Sequence, residues 1–106
     1  MSELVKELTS SEFDSFSRKG LVLIDFYADW CMPCVMMAPV LEETANKFKG
    51  KIMIGKINVE ESPDVAQKFG VSSLPTIIIL KEGEVIDKFM GAISEEELEE
   101  KLKEHL

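Results

Sequence analysis

The sequence predicts one α/β domain of three layers, a mixed five-stranded sheet with four helices shared between its two faces. Three observations carry that reading. Strand-like and helix-like segments alternate along the chain, two of the strands are apolar on both faces, and a tight turn joins the last two strands. A chain of 106 residues can bury a core without disulfides or a structural metal and is too short for two such units, so residues 1–106 are expected to form a single domain.

Each element carries a local signal. Leu4 to Leu8 reads as a short strand. Thr9 and Glu12 fit a capping box, with Leu8 and Phe13 placed as a hydrophobic staple, so a helix should run to about Arg18 and stop at Gly20. Leu21 to Ala28 is apolar apart from Asp25 and reads as a strand buried on both sides. The helical spacing of Met36, Met37, Val40, Leu41, Thr44 and Phe48 predicts a helix from about Pro33 to Lys49, kinked at Pro39 and ended by Gly50. Lys51 to Val59 is a further strand. Ser62 and Pro63 suit an N-cap and a first helical position, and Gly70 closes that short helix. Thr76 to Leu80 and Val85 to Phe89 flank Glu82-Gly83 as an antiparallel hairpin. The last helix has a capping box at Ser94 and Glu97, a staple of Ile93 with Leu98, and favourable pairs Glu97–Lys101 and Glu99–Lys103. Connections between the first strands should be parallel and right-handed.

Charge narrows the function. Twenty acidic residues against twelve basic ones leave a formal net charge of -8, with a pI near 4.6 and a mean hydropathy of +0.03. Such a field repels phosphate, which argues against nucleic acid and anionic membrane surfaces as partners. No apolar run approaches the ~20 residues of a membrane helix, the longest being Leu74 to Leu80, broken by Pro75 and Thr76. The stretch Met1 to Leu8 lacks a basic segment followed by an apolar one, so a cytoplasmic location is expected. In a reducing compartment two cysteines point to catalysis or metal binding.

The informative stretch is Asp25-Phe26-Tyr27-Ala28-Asp29-Trp30-Cys31-Met32-Pro33-Cys34. Cysteines three apart at a helix start share one face, within reach of a disulfide. Cys31 stands where unpaired N–H groups and the helix dipole stabilise a thiolate. Cys34, one turn inside, should be more shielded. That asymmetry makes Cys31 the attacking sulfur and Cys34 the one that resolves the mixed disulfide. Zinc wants four ligands, and the chain has no third cysteine and a single histidine, His105, at its far end, so no metal is expected.

Trp30-Cys31-Met32-Pro33-Cys34, with Asp25 upstream and Leu74-Pro75-Thr76 downstream, resembles the thioredoxin family, for which C-x-x-C beside a βαβ pattern is itself the recognised signature. The resemblance spans essentially the whole chain, with Pro39, Lys56, Gly83 and Gly91 at similar spacing, and implies a thioredoxin-like sandwich. It implies that Asp25 lies beneath the cysteines and helps deprotonate Cys34. The apolar neighbours Leu23, Ile24, Phe26 and Tyr27 independently argue for burial and a raised pKa. By the same resemblance Lys56 is a buried partner of Asp25 and Pro75 is a cis-proline facing the cysteines. Trp30, Leu74, Pro75, Gly91 and Ala92 would then form an apolar groove for an extended polypeptide, bordered by Met32 and Pro33. Met32 stands where the family usually has glycine, Val35 where a basic residue is frequent, and Tyr27 where tryptophan is common.

The expectation is a dithiol–disulfide oxidoreductase that reduces protein disulfides and is re-reduced by a flavin- or ferredoxin-dependent partner of the thioredoxin-reductase type. No bound cofactor is needed, and a monomer is expected. Two other readings stay open: a glutaredoxin-like reductase driven by a small thiol, and a non-catalytic subunit that uses the groove as a clamp.

Overall fold

The computed structural model describes residues 4–106; the first three residues of the stretch read for a leader lie outside it. Five strands form one sheet: β1 (Val5–Leu8), β2 (Leu21–Tyr27), β3 (Met53–Asn58), β4 (Thr76–Lys81) and β5 (Glu84–Met90), in the order β1-β3-β2-β4-β5. β3 runs parallel to both β1 and β2, whereas β4 is antiparallel to β2 and to β5. Four helices complete it: α1 (Ser10–Ser17), α2 (Met32–Lys47), α3 (Pro63–Lys68) and α4 (Glu95–Lys103).

The sheet separates two apolar layers because its strands send alternate residues to opposite faces. Leu21, Leu23, Ile54, Ile77 and Ile79 meet Met37 and Leu41 of α2 and Leu98 and Leu102 of α4. Val22, Ile24, Phe26, Ile57 and Ile78 meet Phe13 of α1 and Val65 of α3 on the other side. The staple residues Leu8 and Phe13 belong to the second layer, and Ile93 and Leu98 to the first.

Element ends differ from the sequence reading by one to two residues, and local hydrogen bonds explain where. β3 begins at Met53 rather than Lys51, because Lys51 and Ile52 both donate to the Phe48 carbonyl and are held in the turn. α2 begins at Met32 and passes through Pro39 unbroken, although Pro39 has no N–H to give the carbonyl one turn back. Both capping positions hold the residues that the sequence assigned to them. In α1 the Glu12 carboxylate accepts from the Thr9 N–H at 3.0 Å, and in α4 the Ser94 hydroxyl accepts from the Glu97 N–H at 3.1 Å. The expected pair Glu99–Lys103 gives way to a tertiary one: Lys47 of α2 bridges Glu95 and Glu99 of α4 at 2.8 and 3.0 Å. Lys101 lies over the Phe89 ring instead of answering Glu97.

The hairpin turn has φ of 49° at Glu82 and 86° at Gly83, the positive pair a two-residue turn between twisted strands requires. The ends of β2 and β4 that matter for chemistry lie at the C-terminal edge of β2, where the chain enters α2 and where Leu74-Pro75 leads into β4. Among the described residues no helix is long and apolar enough to cross a membrane.

Candidate active site

Ala28 directly follows β2, and its carbonyl accepts from the Cys31 N–H at 3.2 Å, turning the backbone into α2. Cys31 is the N-cap, in extended conformation, and its Sγ accepts from the Cys34 N–H at 3.3 Å. Pro33 sits in the first turn, where its missing N–H costs nothing. The Cys31 Sγ therefore lies at the positive end of the α2 dipole with one backbone N–H directed at it. The two sulfurs are joined as the Cys31–Cys34 disulfide, with Cα atoms 5.3 Å apart.

Both cysteines are 5% exposed, so the expected difference in shielding does not show as exposure. The difference is one of direction. Cys31 lines an open groove of about 470 Å³ with Trp30, Met32, Pro33, Val59 and the loop Val71 to Leu74. Cys34 lines a second cavity, of about 540 Å³, together with Asp25, Tyr27, Leu41 and Lys56. One bond thus connects the open groove to a second, charged cavity.

The groove is apolar at its rim. Trp30 is 69% exposed, not core, and its indole N–H donates to the Glu60 carboxylate at 3.0 Å. Met32 is 70% exposed beside it. The Leu74–Pro75 bond is cis, and the loop is pinned where the Thr76 hydroxyl donates to the Ser73 carbonyl and the Gly91 N–H to the Pro75 carbonyl, at 2.6 and 2.8 Å. Gly91 is therefore tied to Pro75, but Pro75, Gly91 and Ala92 are not among the groove's lining residues. Val59, Val71, Ser72 and Ser73 line it, and the sequence reading did not single them out. They come from two separate loops, which no single motif connects.

Asp25 is 2% exposed, in the middle of β2. Burial pushes its carboxyl up to about 7; Lys56 pulls it down and Glu7 pushes it further up. Among the described residues no hydrogen-bond donor reaches its Oδ1. Lys56 is not the fully buried partner that the resemblance implied. Its side chain is 31% exposed and its ion pair is with Glu7, at 3.9 Å, so Asp25 feels it as a charge through space. The Tyr27 hydroxyl donates to the same Glu7 oxygen at 2.6 Å, and burial with that hydrogen bond raises its pKa. Glu7 was unmarked in the sequence because it lies on the edge strand, and only the register of β1 brings it here.

A cysteine pair at a helix start with a buried carboxyl in the neighbouring cavity suits thiol–disulfide exchange. Fold and site together define a dithiol–disulfide oxidoreductase. The profile of the thioredoxin family matches residues 4–104. Over 102 residues, 96% of this chain and 98% of each relative, the chain is 47% identical to a thioredoxin of Staphylococcus epidermidis. It is 46% identical to one of Staphylococcus saprophyticus and 45% to one of Staphylococcus aureus over the same shares. The chain belongs to the thioredoxin family. It is a protein-disulfide reductase that works through the Cys31–Cys34 pair, with disulfide proteins as substrates and a reductase as its source of electrons.

Proposed function

We propose that the two cavities divide the reaction between the two sulfurs. In the reduced protein the Cys31 thiolate attacks one sulfur of a substrate disulfide in the groove, forming a mixed disulfide and expelling the first substrate thiolate. The Cys34 thiol then gives its proton to the Asp25 carboxylate inside the second cavity. The resulting thiolate attacks the Cys31 sulfur, forms Cys31–Cys34 and expels the second substrate thiolate. The substrate gains two electrons and the protein loses two. A carboxyl held near pH 7 is matched to this duty, since it can accept a proton and lose it again at neutrality.

Trp30, Met32, Pro33 and Leu74 form the contact surface for the extended substrate, with cis-Pro75 placing the loop and Gly91 and Ala92 continuing beyond it. Lys56 modulates the charge on Asp25. The reading also takes the protein as a cytoplasmic monomer of one domain, re-reduced by a flavin- or ferredoxin-dependent reductase, with no bound cofactor or metal.

The observation that carries this assignment is that Cys31 opens to the groove and Cys34 to the Asp25 cavity. Single substitutions test it. With pre-reduced protein freed of dithiothreitol and a model protein disulfide, Cys34→Ser should accumulate a mixed disulfide visible by mass spectrometry, and Cys31→Ser should form none. Trapping through Cys34 in the Cys31→Ser protein would reverse the roles.

A further inference from the structure

We propose that Glu7 is a positioning residue for the proton step, holding Lys56 and Tyr27 in the wall of the cavity they share with Asp25 and thereby setting how readily Asp25 accepts the proton of Cys34. The inference rests on the reading of Asp25 as that acceptor. Its basis is register. Glu7 pairs with Lys56 across β1 and β3, and Asp25 pairs with Lys56 across β3 and β2, so the three side chains form an acid–base–acid row on one face of the sheet. All three line the cavity that also contains Cys34.

Within that row the lysine is committed to the outer acid. One oxygen of Glu7 meets the Lys56 Nζ at 3.9 Å and accepts the Tyr27 hydroxyl at 2.6 Å. The same Nζ lies 5.3 Å from the centre of the Tyr27 ring. Glu7 and Tyr27 thus anchor the cation at the half-exposed rim, while the buried Asp25 keeps an oxygen that no donor among the described residues reaches. Glu7 acts on Asp25 twice, in one direction: its own charge opposes ionisation, and it draws the neutralising lysine outward.

The other groups around Asp25 are few. Asp29 follows β2, Glu42 and Cys34 come from α2, and β4 presents Ile77 opposite Asp25, which carries no charge. Asp29 and Glu42 are acidic like Glu7, but neither shares the cross-strand row with Lys56.

Glu7→Gln tests the idea, because glutamine keeps an acceptor for the Tyr27 hydroxyl and removes only the charge. The titration of the Asp25 carboxyl is followed by carbon-13 NMR in the disulfide form, and the pH profile of protein-disulfide turnover is measured in parallel. The expected result is a downward shift of the Asp25 midpoint by roughly half a pH unit or more. The turnover profile should move the same way, and that movement should vanish in the Asp25→Asn background. An Asp25 midpoint unmoved by Glu7→Gln overturns the inference, as does a midpoint that moves without the turnover profile, or a turnover shift that survives in Asp25→Asn. If Asp25→Asn by itself leaves the wild-type turnover profile unchanged, the proton role of Asp25 falls and the inference with it. A purely structural Glu7 would change the melting temperature alone.

Discussion

Asp25 shows how burial can hold a single ionisable residue at a thermodynamic disadvantage. Its carboxyl is moved from 3.8 to about 7, chiefly by burial. The sign of the linkage follows directly: a carboxyl whose pKa is raised by folding favours the fold while it is protonated. That advantage is complete below the unfolded pKa and is lost as pH rises through the folded value. Above pH 7 the ionised side chain therefore works against the fold, by an amount on the order of 4 kcal/mol for a shift of that size. Asp25→Asn should leave stability nearly unchanged at pH 4 and raise it by a few kcal/mol at pH 9. Urea titrations at the two pH values measure this, and equal effects at both would refute the account. The residue-level signal was legible, since one charged side chain in an apolar strand stands out. The partner of Lys56 was not, because a lysine side chain reaches several neighbours and only the positions of Glu7 and Tyr27 decide among them.

At the scale of elements, starts and turns were readable because they rest on neighbours in the chain. Thr9 with Glu12, Ser94 with Glu97, and Glu82-Gly83 all hold their expected places. Interactions that cross between elements were not readable. Lys47 serves α4 rather than its own helix, and a register shift between Ile79 and Leu80 in the β4–β5 pairing breaks the hairpin's regularity. Gly55 belongs to the same class. Nothing in the local sequence calls for glycine in the middle of β3, yet an added Cβ would come within 2.8 Å of Leu8 Cδ1 and 2.9 Å of a Phe16 ring carbon. Both side chains pack between the sheet and α1. Gly55→Ala should therefore destabilise the protein by about 1–3 kcal/mol through overpacking. A chemical denaturation midpoint equal to that of the wild type would show that β1 and α1 can move aside.

For the molecule as a whole, the net charge of -8 acts at a distance on every encounter. Surface charge of one sign slows the approach of like-charged partners and speeds that of opposite ones, and salt screens both effects. Reduction of an acidic substrate protein should therefore accelerate as ionic strength rises from about 0.01 to 0.15 M, where the screening length falls from roughly 30 to 8 Å. Reduction of a basic substrate should slow. Stopped-flow rates at the two ionic strengths test this, and a common trend for both substrates would mean that contacts at the exposed Trp30 and Met32 outweigh the overall field.

The sequence by itself determined the layered α/β class, the alternation of elements, the redox pair and the burial of Asp25. Each of those rests on short-range rules: apolar periodicity, capping, a helix start that stabilises a thiolate, and the cost of a charge in an apolar strand. Tertiary structure alone decided which cavity each sulfur faces and which residues wall the groove. It also decided that Lys56 is shared with Glu7 on a strand nearly fifty positions away in the chain. The physical reason is that strand order and register are settled by the packing of the two apolar layers as a whole. No local stretch contains that information, and a shift of one residue in β1 would turn Glu7 to the opposite face of the sheet.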